Sequence, residues 1–251
     1  MKKPTKRKIF VAALFIIVLV TIVITSLYYF GIWHFNNPSS ARYPVRGVDV
    51  SSYQGNIDWA VLSKQNISFA FIKATEGSSF VDKYFLVNWE EASKTSLWVG
   101  AYHFFSFEST GNAQAAHFIS TVGSLHQSLP PVIDIEYYEI KSGISISREK
   151  IRNELKALIR ELEKQYGVLP ILYVTKETYN DFVKDNIIGC PLWVRNVISK
   201  PGFVRDDAWT FWQYSNRHHL VGYSGVERYI DMNVYYGDLN EFMKQFSLQP
   251  K

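Results

Sequence analysis

Two carboxylates, two residues apart, close an otherwise apolar run. Residues 130–137 read Pro-Pro-Val-Ile-Asp-Ile-Glu-Tyr, with acids at Asp134 and Glu136. The prolines suit the opening of a strand, where a missing N–H does no harm. Side chains two apart on a strand share a face, about 6.6–7 Å apart along it. Burying one unpaired acid is costly, and burying two side by side costs more because the charges repel. Such a pair points to acid–base chemistry, although solvated strand ends and acids paired to Arg or Lys give the same spacing.

Further acids stand where other strand-like runs end. Asp49 lies near the end of residues 46–50, Glu76 in Lys73-Ala-Thr-Glu-Gly77, and Asp231 in Tyr229-Ile-Asp-Met-Asn233. Aromatic or polar residues end the other runs: Tyr102 and His103, Tyr173, Trp193, and Gln213 with Tyr214. Each alone has a structural explanation. A lone acid there caps a helix more often than it catalyses, and His103 between Tyr102 and Phe104 reads as a satisfied core histidine. Their convergence on one rim is harder to dismiss. Acids ringed by aromatics suit glycoside hydrolysis, where one carboxylic acid protonates the leaving oxygen and others stabilise an oxocarbenium-like centre. They also suit metal-assisted hydrolysis, with Asp and Glu holding Mg²⁺ or Ca²⁺. No Ser–His–Asp order, cysteine nucleophile or phosphate-cradling loop stands out.

The elements that must position these residues alternate. Strand-like runs at 46–50, 68–74, 97–105, 132–136, 169–174, 192–194 and 210–214 are separated by helix-like runs at 57–65, 83–94, 113–122, 148–166 and 176–184. The clearest helix, 148–166, carries Ile151, Leu155, Leu158, Ile159, Leu162 and Tyr166 on one stripe, with Ser147 to cap it and Gly167 to end it. Residues 223–236 read as strands and turns, followed by a terminal helix near 238–246. Alternation of this kind predicts a mostly parallel sheet. Eight candidate strands predict an irregular α/β fold, a (β/α)-barrel of TIM type whose helices thin in the last third. An open doubly wound sheet is the rival, weakened by the lack of a Gly-x-Gly-x-x-Gly turn after the first strand. In such a barrel the site lies at the C-terminal ends of the strands.

The N-terminus is separate. Residues 1–8 are a basic tail, and residues 9–30 carry no charge. At about 1.5 Å per residue this run makes roughly 33 Å of helix, enough to span a membrane. Tyr28, Tyr29 and Trp33 fall where an aromatic belt belongs, and the basic tail predicts a cytoplasmic N-terminus with the domain outside. A cleaved signal peptide is the alternative; its apolar region is usually shorter and ends at a small-x-small site. Residues 31–44 read as a linker and 45–251 as the exported domain. Residues 1–45 hold six basic residues and no acid, so the chain's net charge of +4 leaves −2 for the remainder. A mildly acidic domain gives no support to nucleic-acid binding. The single Cys190 excludes an internal disulfide and a cysteine-based zinc site.

Arg46-Gly-Val-Asp-Val-Ser-Ser-Tyr-Gln-Gly55, followed by Ile57-Asp-Trp59, resembles the opening signature of the glycoside hydrolase family 25 muramidases, the Chalaropsis-type lysozymes. Phe71-Ile-Lys-Ala-Thr-Glu-Gly77, Gly100-Ala-Tyr-His-Phe104, Asp134-Ile-Glu136, Trp212-Gln-Tyr214 and Asp231-Met-Asn233 resemble its later blocks, in order, over about residues 45–245. The resemblance implies an irregular barrel that cleaves the β-1,4 bond between N-acetylmuramic acid and N-acetylglucosamine in peptidoglycan, without a cofactor or metal. By position, Glu136 resembles the general acid, Asp134 its partner, and Asp49 and Asp231 the other two acids. An anionic Asp134 would raise the Glu136 pKa. Tyr53, Tyr102, Tyr137, Tyr173, Trp193, Gln213 and Tyr214 are the expected sugar contacts, with Glu76 either lining the cleft or structural. The family is associated with net retention; whether the nucleophile is the substrate's 2-acetamido group or a carboxylate stays open. Arg195 departs from the small residue expected there. No wall-binding repeat follows the barrel, and the membrane anchor would localise the enzyme instead. Rival readings are a catalytically silent wall-binding or scaffold protein and a metal-dependent hydrolase. An anchored enzyme could also belong to a larger envelope complex, whose members the sequence does not name.

Overall fold

The computed structural model describes residues 5–125, 127–138, 147–205 and 208–247. Nine strands are described: β1 (Arg46–Val50), β2 (Phe69–Glu76), β3 (Phe80–Val81), β4 (Trp98–Phe104), β5 (Val132–Ile135), β6 (Ile171–Val174), β7 (Leu192–Arg195), β8 (Phe211–His218) and β9 (Ile230–Tyr235). They form one sheet in the order β1-β9-β8-β7-β6-β5-β4-β2-β3, and β1 also pairs with β2, which closes an eight-stranded barrel. The two-residue β3 is an addition folded back on the end of β2. Neighbouring strands of the barrel run parallel except β9, which is antiparallel to both β1 and β8. The expected barrel is therefore present, with one strand reversed.

The helices are α1 (Lys6–Tyr29), α2 (Trp59–Leu62), α3 (Phe85–Ser93), α4 (Gly111–Val122), α5 (Arg148–Tyr166), α6 (Lys176–Thr178) and α7 (Leu239–Gln245). The α5 helix follows its sequence signals. Ser147 accepts from the Lys150 amide at its start, Gly167 adopts φ +70° at its end, and Ile151, Leu155, Leu158, Ile159 and Leu162 are buried. Two helices are shorter than expected. The run at 57–65 yields only α2, capped by Asp58. The run at 176–184 starts as α6 and widens into a π turn, Tyr179–Val183, closed by a hydrogen bond from the Lys184 amide to the Tyr179 carbonyl. Between β7 and β8 no helix occurs among the described residues, so the thinning is real.

Strand alternation divides the core in two. Phe69 and Phe71 of β2, Val132 of β5, Ile171 and Tyr173 of β6, Trp193 of β7 and Phe211 of β8 fill the barrel, with Phe242 of α7 packed against them. Ala70, Ile72, Ile133, Leu172, Val194 and Trp212 face the outer helices. Gly47 and Gly100 make room for the large rings. A Cβ at Gly100 would lie 2.6 Å from the Phe71 ring and one at Gly47 2.4 Å from Phe69. Gly100→Val is expected to lose about 1–3 kcal/mol to overpacking, read as a lower unfolding midpoint in denaturant.

The α1 helix stands apart. None of its residues is buried, and it is long and apolar enough to cross a membrane. It begins inside the basic tail and ends one residue short of the apolar run; residues 1–4 of that tail lie outside the described residues.

Candidate active site

The C-terminal ends of the parallel strands surround an open cavity of about 460 Å³. Each wall follows from parity. On β5, Val132 and Asp134 point inward while Ile133 and Ile135 point outward, and Glu136 continues the inward face just past the strand. On β1 the inward residues are Gly47 and Asp49. On β9 they are Asp231, Asn233 and Tyr235, and reversal of this strand puts its first residues at the mouth. Asp49 and Asp231 are register partners across the β1–β9 pair. The four carboxyls of Asp49, Asp134, Glu136 and Asp231 thus share one cavity, with Lys73 and Arg195 as cations in the same wall.

Beneath the acids runs a buried amide network. Gln213 Nε2 donates to Asp49 Oδ2 at 3.0 Å and to Asp231 Oδ2 at 3.1 Å. Asn233 Nδ2 donates to Asp49 Oδ2 at 2.7 Å. Two partners orient these amides: the Tyr173 hydroxyl donates to Gln213 Oε1 at 2.9 Å, and Trp193 Nε1 donates to Asn233 Oδ1 at 2.8 Å. Asp134 has no such support, since its Oδ1 is buried without a hydrogen-bond partner.

Burial pushes all four carboxyls above the usual range. Asp134 rises well above it, with the nearby Glu136 charge adding to burial and Lys73 opposing. Asp231 also rises well above it through burial and the Asp49 charge, against Arg195. Burial raises Asp49 against the hydrogen bonds from Asn233 and Gln213. Glu136 is raised by burial, opposed first by Arg195. Crowding of these acids favours their protonated forms, against the Lys73 and Arg195 charges. Asp134 and Glu136 are raised together, as burial and mutual repulsion require of two acids on one face.

The expected sugar contacts divide. Tyr53, Tyr102, Tyr173 and Gln213 line the cavity. Trp193 and Tyr214 do not. Trp193 sits one pleat below Arg195, stacked on Phe71 at 4.6 Å with its face covered. Tyr214 follows inward-facing Gln213, so it must point out of the barrel; it is buried with its hydroxyl on Arg46 at 2.7 Å. Tyr137 lies outside the cavity, half exposed, with its hydroxyl on Asp181 at 2.6 Å. Glu76 pairs with Lys73 at 2.8 Å and does not itself line the cavity. His103 is fully buried between Thr75 and Gln114, and burial lowers its pKa to about 4. Sequence reasoning passed over Lys73, Asn233, Arg217, Glu227 and Tyr229. Parity with Phe71 and Asp231 flags the first two, whereas the others follow from the reach of the β8–β9 hairpin.

Trp193→Phe keeps the ring stack but removes the donor that orients Asn233. The expected result is a roughly tenfold loss in kcat. With its Asn233 bond weakened Asp49 titrates higher, so the acid limb of the pH–rate profile moves to higher pH.

A family model described as glycosyl hydrolases family 25 matches residues 48–223. The solved structure of a family 25 glycosyl hydrolase from Bacillus anthracis is 53% identical and superposes with a TM-score of 0.77, covering 84% of this chain and 97% of that one. The uncharacterized protein YegX of Escherichia coli K12 is 34% identical over 206 residues, 80% of this chain and 73% of its own. Lysozyme M1 of Streptomyces globisporus is 32% identical over 212 residues, covering 77% and 68% respectively. Motif order, closed barrel and carboxyl-lined mouth agree with these matches, and the chain belongs to glycosyl hydrolase family 25 as a glycoside hydrolase.

Proposed function

We propose that this chain is a membrane-anchored peptidoglycan hydrolase that cleaves the β-1,4 bond between N-acetylmuramic acid and N-acetylglucosamine. The observation that carries the reading is the convergence of Asp49, Asp134, Glu136 and Asp231 on one cavity, where burial raises the pKa of each. Glu136 is the general acid: it is the less buried member of its pair and stands at the mouth, within reach of a glycosidic oxygen. The unpartnered Asp134 Oδ1 suits the N–H of a substrate 2-acetamido group. That bond stabilises the anionic form of Asp134 and moves the shared proton to Glu136. Glu136 then protonates the leaving oxygen as the acetamido oxygen attacks C1, and the C1–O bond breaks. Water next attacks C1, loses its proton to Glu136 and restores the acetamido group, so configuration is retained. Asp49 and Asp231, held by Gln213 and Asn233, stabilise positive charge at the ring.

The anchor is α1, with the basic tail inside and the barrel outside. The domain limits proposed are 1–8 for the tail, 9–30 for the anchor, 31–44 for the junction and 45–251 for the catalytic barrel. The test is digestion of purified peptidoglycan by the full chain in detergent, with mass analysis of borohydride-reduced fragments. Muramitol ends are expected. Glucosaminitol ends would overturn the bond assignment, and no fragments would overturn the activity.

A further inference from the structure

The segment joining α1 to β1 is docked, not free. The Tyr29 carbonyl, at the end of α1, accepts from Arg217 Nη1 at 2.9 Å and from the Tyr229 hydroxyl. The Phe30 carbonyl accepts from His219 Nε2 at 3.2 Å. The Arg217 guanidinium lies over the rings of Tyr28, Tyr29 and Tyr229 at 5.2, 5.5 and 5.0 Å. Gly31 turns the chain at φ +64°, where a Cβ would stand 2.5 Å from the Arg217 carbonyl oxygen. Further on, the His34 ring stacks on His218 at 4.3 Å, and the buried Asn36 amide donates to the Asn196 and Tyr214 carbonyls. Arg217 and Tyr229 also line the catalytic cavity. The same two side chains therefore form one wall of the cleft and the seat of the helix end.

We infer that this junction holds the barrel on the outer face of the bilayer, with the Arg217–Tyr229 end of the cleft at the headgroups. The substrate is then glycan at the membrane surface, still joined to its lipid carrier, in preference to mature wall farther out. The inference rests on the membrane-anchored muramidase reading above. Tyr28, Tyr29 and Trp33 set the interfacial level, where aromatic side chains partition, and one hydrogen bond separates that level from the cleft wall. Exposed Ile32, Trp33 and Phe35 continue an apolar surface from the helix end, and Arg228 stands over the Phe30 ring at 5.9 Å, a cation at headgroup depth. A free linker over residues 34–44 would let the barrel range about 36–40 Å; a docked one does not.

The test uses the full chain in phosphatidylethanolamine–phosphatidylglycerol vesicles carrying polyprenyl-pyrophosphate-linked glycan. Two variants undock the junction: Gly31→Val, whose Cβ would meet the Arg217 carbonyl, and Gly31→Val combined with an insertion of about twenty Gly/Ser residues after Phe30, which lets the displaced barrel move away; both leave every barrel residue in place. Wild type is expected to leave short lipid-bound stubs of narrow length. The insertion should at least double their mean length and broaden the distribution, while digestion of soluble glycan stays within twofold. The same stub lengths from wild type and both variants would overturn the inference. Failure of every form on soluble glycan would instead sink the muramidase reading. Recovery of the chain outside the vesicles, cut after α1, would sink the anchor reading; in either case the inference falls with its basis.

Discussion

Glu136→Gln is expected to lower glycan cleavage by about a thousandfold, within the range that a positioned general acid contributes, while the barrel stays folded. The amide keeps the size of the carboxyl but cannot give a proton to the leaving oxygen. The variant also removes a charge from the crowded mouth, so its unfolding temperature should not fall. Muropeptide release beside a thermal melt checks both halves. Retained activity in a folded Glu136→Gln would contradict the proposed mechanism.

Asp134→Asn is expected to split activity from stability. Activity should fall by about a hundredfold or more, since the amide no longer accepts the acetamido N–H as an anion. Stability at neutral pH should rise by about 1 kcal/mol, the gain typical of relieved active-site strain, or roughly 2–4 °C in Tm. The sign follows from linkage. Burial and Glu136 raise the Asp134 pKa in the folded state. The folded protein therefore binds the proton more tightly than the unfolded chain, so stability contributed by this group is full below the unfolded pKa. It is lost as pH rises through the folded pKa. An asparagine has no such loss, so the variant's advantage should vanish toward pH 4. Melts of both proteins across pH 4–8 read this directly.

Much of the fold was legible because each element carried its own signal. The alternating runs located the barrel, and the α5 stripe with Ser147 and Gly167 at its ends marked that helix to the residue. The reversal of β9 was not legible, since a short apolar run reads the same in either direction. That reversal is why Asp231 reaches the mouth from the start of its strand. Parity carries more of the site than residue type does. Gln213 and Tyr214 are adjacent on β8, so one had to face away, and the same rule puts Trp193 one pleat below Arg195. The covered Trp193 ring holds Asn233, and through it Asp49, in place of a sugar. Composition marked residues 31–44 as a linker, but the docking of this junction, from the Tyr29 and Phe30 carbonyls to His34, depends on hydrogen bonds to the distant β8–β9 hairpin. Local patterns carry no trace of those bonds.

The most direct test of the central claim compares two leaving groups in one variant. Glu136→Gln would be assayed on purified glycan and on an aryl glycoside of the same sugar, whose phenolate needs no proton to depart. If Glu136 is the general acid within an otherwise intact carboxyl site, the variant loses about a thousandfold on glycan and stays within about tenfold of wild type on the aryl substrate. Equal loss on both would show that Glu136 does not act by protonating the leaving oxygen, and would contradict the account.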